Sequence, residues 1–203
     1  MEQTDIQLRI KEIKSEFRLR MNGVASASMR QKGVGEYLNW GIPFTELKLM
    51  AAEYEKDSHL AAALWKENVR ECKILATLIM PAESMDAEMA GVWIEQIITQ
   101  EMAEYAAFNL FQYSPDASLL AYVWIASDKP LEQICGYCTL AGLFRNGAEP
   151  TERDINEFVD QAVSALADSS AGVRHAAMNC LNAFSATGGM QEKIVDTALR
   201  RNT

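Results

Sequence analysis

An all-α array of stacked antiparallel helix pairs is the fold class this sequence predicts. Three observations predict it. Apolar residues recur at three- and four-residue spacings along nearly the whole chain. The prolines, at positions 43, 81, 115, 130 and 150, all fall at the borders of those periodic segments. No segment alternates with a period of two, and the dipeptides Asn22-Gly23 and Asn146-Gly147 follow helical patterns instead of joining β-branched runs.

Taken in order, Ile6, Ile10, Ile13 and Phe17 form one stripe of a first amphipathic helix, with Lys and Arg on its other faces. The pattern breaks at Asn22-Gly23, and Gly33 and Gly35 mark a flexible connection. Residues 37–43 read as a loop with Trp40 exposed. Pro43 opens a helix carrying Leu47, Met50, Ala51 and Tyr54. Lys56-Asp57-Ser58 ends it, and Ser58 is the expected cap of a helix with Leu60, Ala61, Leu64 and Trp65. After Asn68 a helix with Cys72, Leu75, Leu78 and Ile79 runs to Pro81.

Residues 85–98 predict a helix with Met89, Val92, Trp93 and Ile97 as its apolar stripe, and residues 101–112 its partner. Ser114-Pro115-Asp116 opens a helix with Leu119, Leu120, Val123 and Trp124. Asp128-Lys129-Pro130 leads into Leu131, Ile134, Cys135, Cys138 and Leu143. Residues 147–150 are a loop. Thr151 and Asp154 read as a capping box for a helix with Ile155, Phe158, Val159, Ala162 and Leu166. Ser169 or Ser170 caps the next, with Val173, Ala176, Ala177, Cys180, Leu181 and Phe184. Gly188-Gly189 precedes a last helix with Ile194, Val195, Ala198 and Leu199.

Helix pairs therefore start near residues 58, 86, 117 and 152, a period of about 30 to 35 residues that suits two-helix repeats. A short pair cannot bury its own apolar face, so stacking on neighbours stabilises it. The expected architecture is a HEAT-like solenoid in one domain, 1–203. Within it, 1–35 form a basic N-terminal helix and connection, and 36–203 the stacked pairs.

Composition narrows the function classes. The net charge of −9 disfavours non-specific attraction to phosphate. Residues 1–35 carry seven Lys or Arg against four acids, whereas residues 74–128 carry eight acids and no Lys or Arg. Any nucleic-acid surface is expected at the ends of the domain. The N-terminus is charged from its second residue and no apolar run spans a bilayer, so no secretory signal, no membrane span and a cytoplasmic setting are expected.

Few constellations promise chemistry. Cys135-Gly136-Tyr137-Cys138 is a CxxC inside a helical pattern with no strand before it, which reads as two core thiols and not a redox motif. His59 and His175 stand in no metal-ligand spacing, so neither metal nor cofactor is expected. Glu95, Glu101 and Glu104 gather around one helix–helix turn, where a carboxylate can steady a developing cation or simply favour a helix N-terminus. Trp65, Trp93 and Trp124 fall on apolar stripes and read as packing. Arg70, Lys73, Arg145 and Arg174 lie on second helices of pairs, as phosphate contacts or as a solvated rim.

Gly41-Ile42-Pro43-Phe44-Thr45-Glu46-Leu47, followed by Ala51 and Tyr54, resembles the entry segment of the AlkD-type DNA alkylation repair proteins. The run from His59 to Trp65, followed by that from Val69 to Ala76, resembles the next helix pair of the same family. The pattern continues more weakly to about Phe184. The resemblance implies a HEAT-like fold and, for active members, a metal-free glycosylase that removes cationic alkylpurines from DNA on a basic concave surface. Two tryptophans, an aspartate and an arginine surround the lesion there. Aromatic faces and a carboxylate stabilise cations, and arginine holds phosphate.

On that reckoning Gln100 stands at the first tryptophan, Glu104 at the catalytic aspartate and Asn179 at the second tryptophan. The arginine should fall within residues 134–137, where there is none. Glu104 alone keeps any of the chemistry. The reading that follows is a non-catalytic scaffold binding nucleic acid, through the basic ends of the domain, or else a protein. One alternative is an active alkylpurine glycosylase rearranged around Glu104. Another is an unrelated HEAT-like protein-interaction scaffold.

Overall fold

Caps and prolines set the helix borders. The computed structural model describes residues 2–32 and 38–201. Its described residues form twelve α-helices and two short 3-10 turns. The expected flexible connection at Gly33 and Gly35 lies outside the described residues. The chain divides into two compact units, Met1–Met85 and Asp86–Thr203.

The first unit holds α1 (Glu2–Leu19), α2 (Gly23–Gln31), α3 (Phe44–Ala51), α4 (Ser58–Trp65) and α5 (Arg70–Ile79). Ile10, Ile13 and Phe17 bury the predicted stripe of α1, which packs on α4. Arg9 pairs with Asp57 at 2.7 Å and Lys14 pairs with Glu67. Asp57, not Ser58, caps α4: its carboxylate accepts the Leu60 N–H at 2.9 Å. Burial pushes the Asp57 carboxyl up, but the Leu60 N–H and the Arg9 guanidinium outweigh it and leave it below the ordinary value.

Helix α2 was not expected. Its sequence shows no apolar stripe, and polar bonds seat it instead. Asn22 caps it by accepting the Ala25 N–H. Buried Ser26 donates to the Asn39 carbonyl at 2.8 Å and accepts from Arg30 at 2.7 Å. The Asn22 N–H donates to the Trp40 carbonyl at 2.8 Å.

The segment between α2 and α3 depends on α5. The buried Glu71 carboxylate accepts the N–H groups of Trp40, Gly41 and Ile42 at 3.1–3.3 Å. Arg70 donates to the same carboxylate and to the Ile42 carbonyl, both at 3.2 Å. Leu38 and Val69 form an isolated parallel bridge, the one extended pairing among the described residues. Gly41 has φ +73°, and a β-carbon there would lie 2.3 Å from the Asn22 carbonyl, so only glycine fits. Trp40 is half-buried, its ring tilted against Phe17 at 5.5 Å, where exposure was expected.

The second unit holds α6 (Ala87–Glu95), α7 (Gln100–Asn109), α8 (Ala117–Ile125), α9 (Pro130–Arg145), α10 (Glu152–Ala165), α11 (Ala171–Ser185) and α12 (Gly189–Arg201). Helix α9 packs on α8 and has α7 and α11 as neighbours, while α10 and α12 pack on α11. The capping box of Thr151 and Asp154 forms, and Ser170 caps α11. Trp93 and Trp124 are buried, as is Trp65 in the first unit. Phe144, Phe158 and Phe184 meet with ring centroids 5.1–5.4 Å apart and close the core of α9, α10 and α11. No helix among the described residues is long and apolar enough to cross a membrane.

Candidate nucleic-acid interface

Helices α7, α9 and α11 collect the positions that the resemblance singled out. Thr99 caps α7, and Met102, Ala103, Ala106 and Ala107 turn its apolar side inward. That leaves Gln100 exposed and Glu104 half-buried one turn later. The Gln100 amide donates to the Glu104 carboxylate at 2.8 Å. The start of α11 meets the same place: a β-carbon on Gly172 would lie 2.5 Å from the Gln100 side-chain oxygen. Asn179, two turns further along α11, shares a 3.0 Å hydrogen bond with His175, and both are exposed.

Residues 134–137 are the buried face of α9. Ile134, Cys135 and Tyr137 are core residues. Gly136 lies so close to α8 that a β-carbon would be 2.8 Å from the Ile125 nitrogen. Packing explains why no long charged side chain occupies this segment. One turn later Cys138 is half-buried. Burial, and after it the Glu104 charge, pushes its thiol up to about 12, while Arg145 works in the opposite direction. Burial likewise holds Cys135 and Cys180 well above the ordinary thiol value. The CxxC is thus a pair of protonated thiols inside a helix. Among the described residues no group of His, Cys, Asp or Glu is arranged to hold a metal ion.

The four expected cations separate. Arg70 and Lys73, expected on a surface, belong instead to the interior, at 1% and 5% exposure. Helix α5 is enclosed nearly all round, so its polar positions are not a surface. Arg70 serves Glu71 and Ile42, as described above. Lys73 donates to the Trp65 carbonyl at 2.6 Å and lies 4.5 Å from the Trp65 ring centroid. Burial pushes the Lys73 ammonium down to about 8. Arg174 is exposed, but its guanidinium donates to the Asp168 and Ser169 carbonyls at 2.6 and 3.0 Å. Arg145, in the last turn of α9, is exposed and makes no hydrogen bond or ion pair among the described residues.

Comparison with known proteins decides the family. A family model for DNA alkylation repair enzymes matches residues 13–202. The chain belongs to the DNA alkylation repair family. No curated protein matches it. A solved structure described as "a new family of proteins related to the HEAT-like repeat DNA glycosylases with affinity for branched DNA structures" superimposes with a TM-score of 0.84. It is 18% identical, and the match covers 93% of this chain and 80% of that one. The fold of this DNA alkylation repair family member is therefore the HEAT-like repeat of helices.

Sequence reasoning missed one feature of this face. A cleft of about 500 Å³ opens between the C-terminal parts of α9 and α11, lined in part by Phe144, Arg145, Asn179, Asn182, Ala183 and Ala186. The signal was present as Asn179 and Asn182, spaced to share a helix side. Only the packing of α9 on α11 brings Arg145 beside them.

Charge divides unevenly between the units. Residues 1–85 carry twelve Lys or Arg and twelve Asp or Glu, and residues 86–203 carry seven and sixteen. Within the first unit, residues 17–32 hold Arg18, Arg20, Arg30 and Lys32 with no acid, and all four are exposed.

Proposed function

We propose that this chain is a non-catalytic DNA-binding scaffold of the DNA alkylation repair family, taking branched DNA without excising bases. It would act as one domain, 1–203, in the cytoplasm. The supporting observation is what fills the lesion-facing positions. On the register that the resemblance implies, amides stand at both tryptophan positions, and they bond to their own neighbours, Gln100 to Glu104 and Asn179 to His175. Neither offers a cationic base the π-face that aromatic residues give. The arginine segment is core, and Glu104 already accepts a hydrogen bond from a neutral partner.

Phosphate contacts would come from Arg18, Arg20, Arg30 and Lys32, the exposed cations of α1, α2 and their ends. Four such contacts give a slope of about −3.6 in log K against log salt. Affinity for branched DNA is described for the structural relative and supports the same preference here.

The test measures binding to a four-way junction and to a matched linear duplex at low and raised salt. In parallel, methylated DNA is assayed for released alkylpurine with wild type and Glu104→Ala. Junction binding that falls with salt, with no base released, is expected. Release that disappears in Glu104→Ala would establish the glycosylase reading instead. Binding to neither DNA at low salt would point to a protein partner.

A further inference from the structure

We propose that the cleft between α9 and α11 holds one unpaired nucleotide, its base on the floor and its phosphate at Arg145. The proposal rests on the DNA-binding reading and adds a site to it. The second unit is strongly acidic, yet no carboxylate is among the residues lining this cleft. An arginine and two asparagines line it instead. The Arg145 guanidinium has no partner among the described residues, and the same holds for the Asn182 carboxamide. Asn179 is turned to His175 with one side of its amide, leaving the other free to face outward.

Each group matches a part of a nucleotide. Guanidinium binds a phosphate through two parallel N–H donors. A carboxamide offers one acceptor and two donors, the pattern that reads a base edge. The floor is apolar: Phe144 is fixed by Phe158 and Phe184, and Ala183 and Ala186 leave room above it. The volume lies in the range of small-ligand sites, about 300–1,000 Å³. A base inside a duplex cannot enter such a cleft, because both its faces are stacked. An unpaired one at a flap or gap can.

Two sources supply this chemistry, an unpaired residue within DNA and a free mononucleotide. The experiment separates them with the full chain. Affinities are measured for a labelled DNA carrying a single-stranded flap and for the fully paired duplex of equal length. Wild type, Arg145→Ala and Asn182→Ala are compared, and dAMP is titrated by heteronuclear NMR. Both substitutions are at exposed positions, and circular dichroism verifies folding.

The expected result is about tenfold weaker flap binding for Arg145→Ala, the size of one lost charged contact. Duplex binding should change less than about twofold, as Arg145 would not touch it. Resonance shifts with dAMP confined to α9 and α11 would support the cleft even if no DNA bound, a result that removes the scaffold reading alone. Equal losses on flap and duplex would overturn the cleft while leaving DNA binding intact. So would flap binding indifferent to both substitutions, or absence of dAMP shifts together with absence of flap preference.

Discussion

Replacing Glu71 by alanine should destabilise the protein more than any surface change. Its carboxylate accepts three consecutive backbone N–H groups and the Arg70 guanidinium. Trp40 is half-buried, so its N–H can turn to water, but Gly41 and Ile42 are buried and cannot. An orphaned buried donor costs about 1–3 kcal/mol. Removing one member of a buried ion pair costs about 3–5 kcal/mol in total, because the other charge is left without its carboxylate. The distances of 3.1–3.3 Å are long for charged bonds, which argues against the upper end of that total. The expected loss for Glu71→Ala is therefore about 4 kcal/mol. Glu71→Gln keeps an acceptor oxygen for Gly41, Ile42 and the Arg70 guanidinium, so the loss should be smaller, about 2 kcal/mol. Urea unfolding of the full chain at pH 7 measures both. A Glu71→Ala variant within about 1 kcal/mol of wild type would refute the argument, as would Gln and Ala losing equal amounts.

Asp57→Asn keeps the α4 cap and removes the Arg9 ion pair, so it should cost about 0.5 kcal/mol at pH 7. The Asp57 carboxyl is lowered in the folded state, so its contribution is complete above the unfolded value and vanishes as pH falls through the folded one. The gap between variant and wild type, followed by urea midpoints, should close below about pH 4. Lys73 is the reverse case of a lowered ammonium. Between about pH 8 and 10 the unfolded chain holds its proton and the folded chain has lost it. Wild type should therefore gain on Lys73→Met across that window, by at most about 1.4 kcal/mol per pH unit. Cys72, Cys135, Cys138 and Cys180 should react with a thiol-disulfide reagent at pH 8 only after denaturant is added, since burial raises all four.

Much of the fold was legible because long helices with wide apolar stripes announce themselves. The stripe of Ile10, Ile13 and Phe17 and the capping box at Thr151 are local facts, and the structure keeps both. Helix α2 was hidden because Ser26, Asn22 and Arg30 seat it by hydrogen bonds, which leave no periodic trace. Arg70 and Lys73 were misplaced for a related reason. Their spacing describes a polar side of α5, but α3 and α4 pack on that helix, and no pattern within ten residues reports such enclosure. At the candidate site, Gln100, Glu104 and Asn179 were singled out by the resemblance, and the structure places them on α7 and α11. The approach of Gly172 to Gln100, and of Arg145 to Asn182, belongs to packing between helices distant in sequence.

The bond between Glu71 and the backbone at 40–42 also orders events in time. Helix α2 is tied to residues 39 and 40 through Ser26 and Asn22, and residue 40 is in turn held by the first turn of α5. Residues separated by about fifty positions are thus joined in one chain of hydrogen bonds. Amide protons of α2 should exchange with solvent no more slowly than those of Gly41 and Ile42. A single carboxylate near the start of α5 is then expected to set how long α2 stays closed between fluctuations.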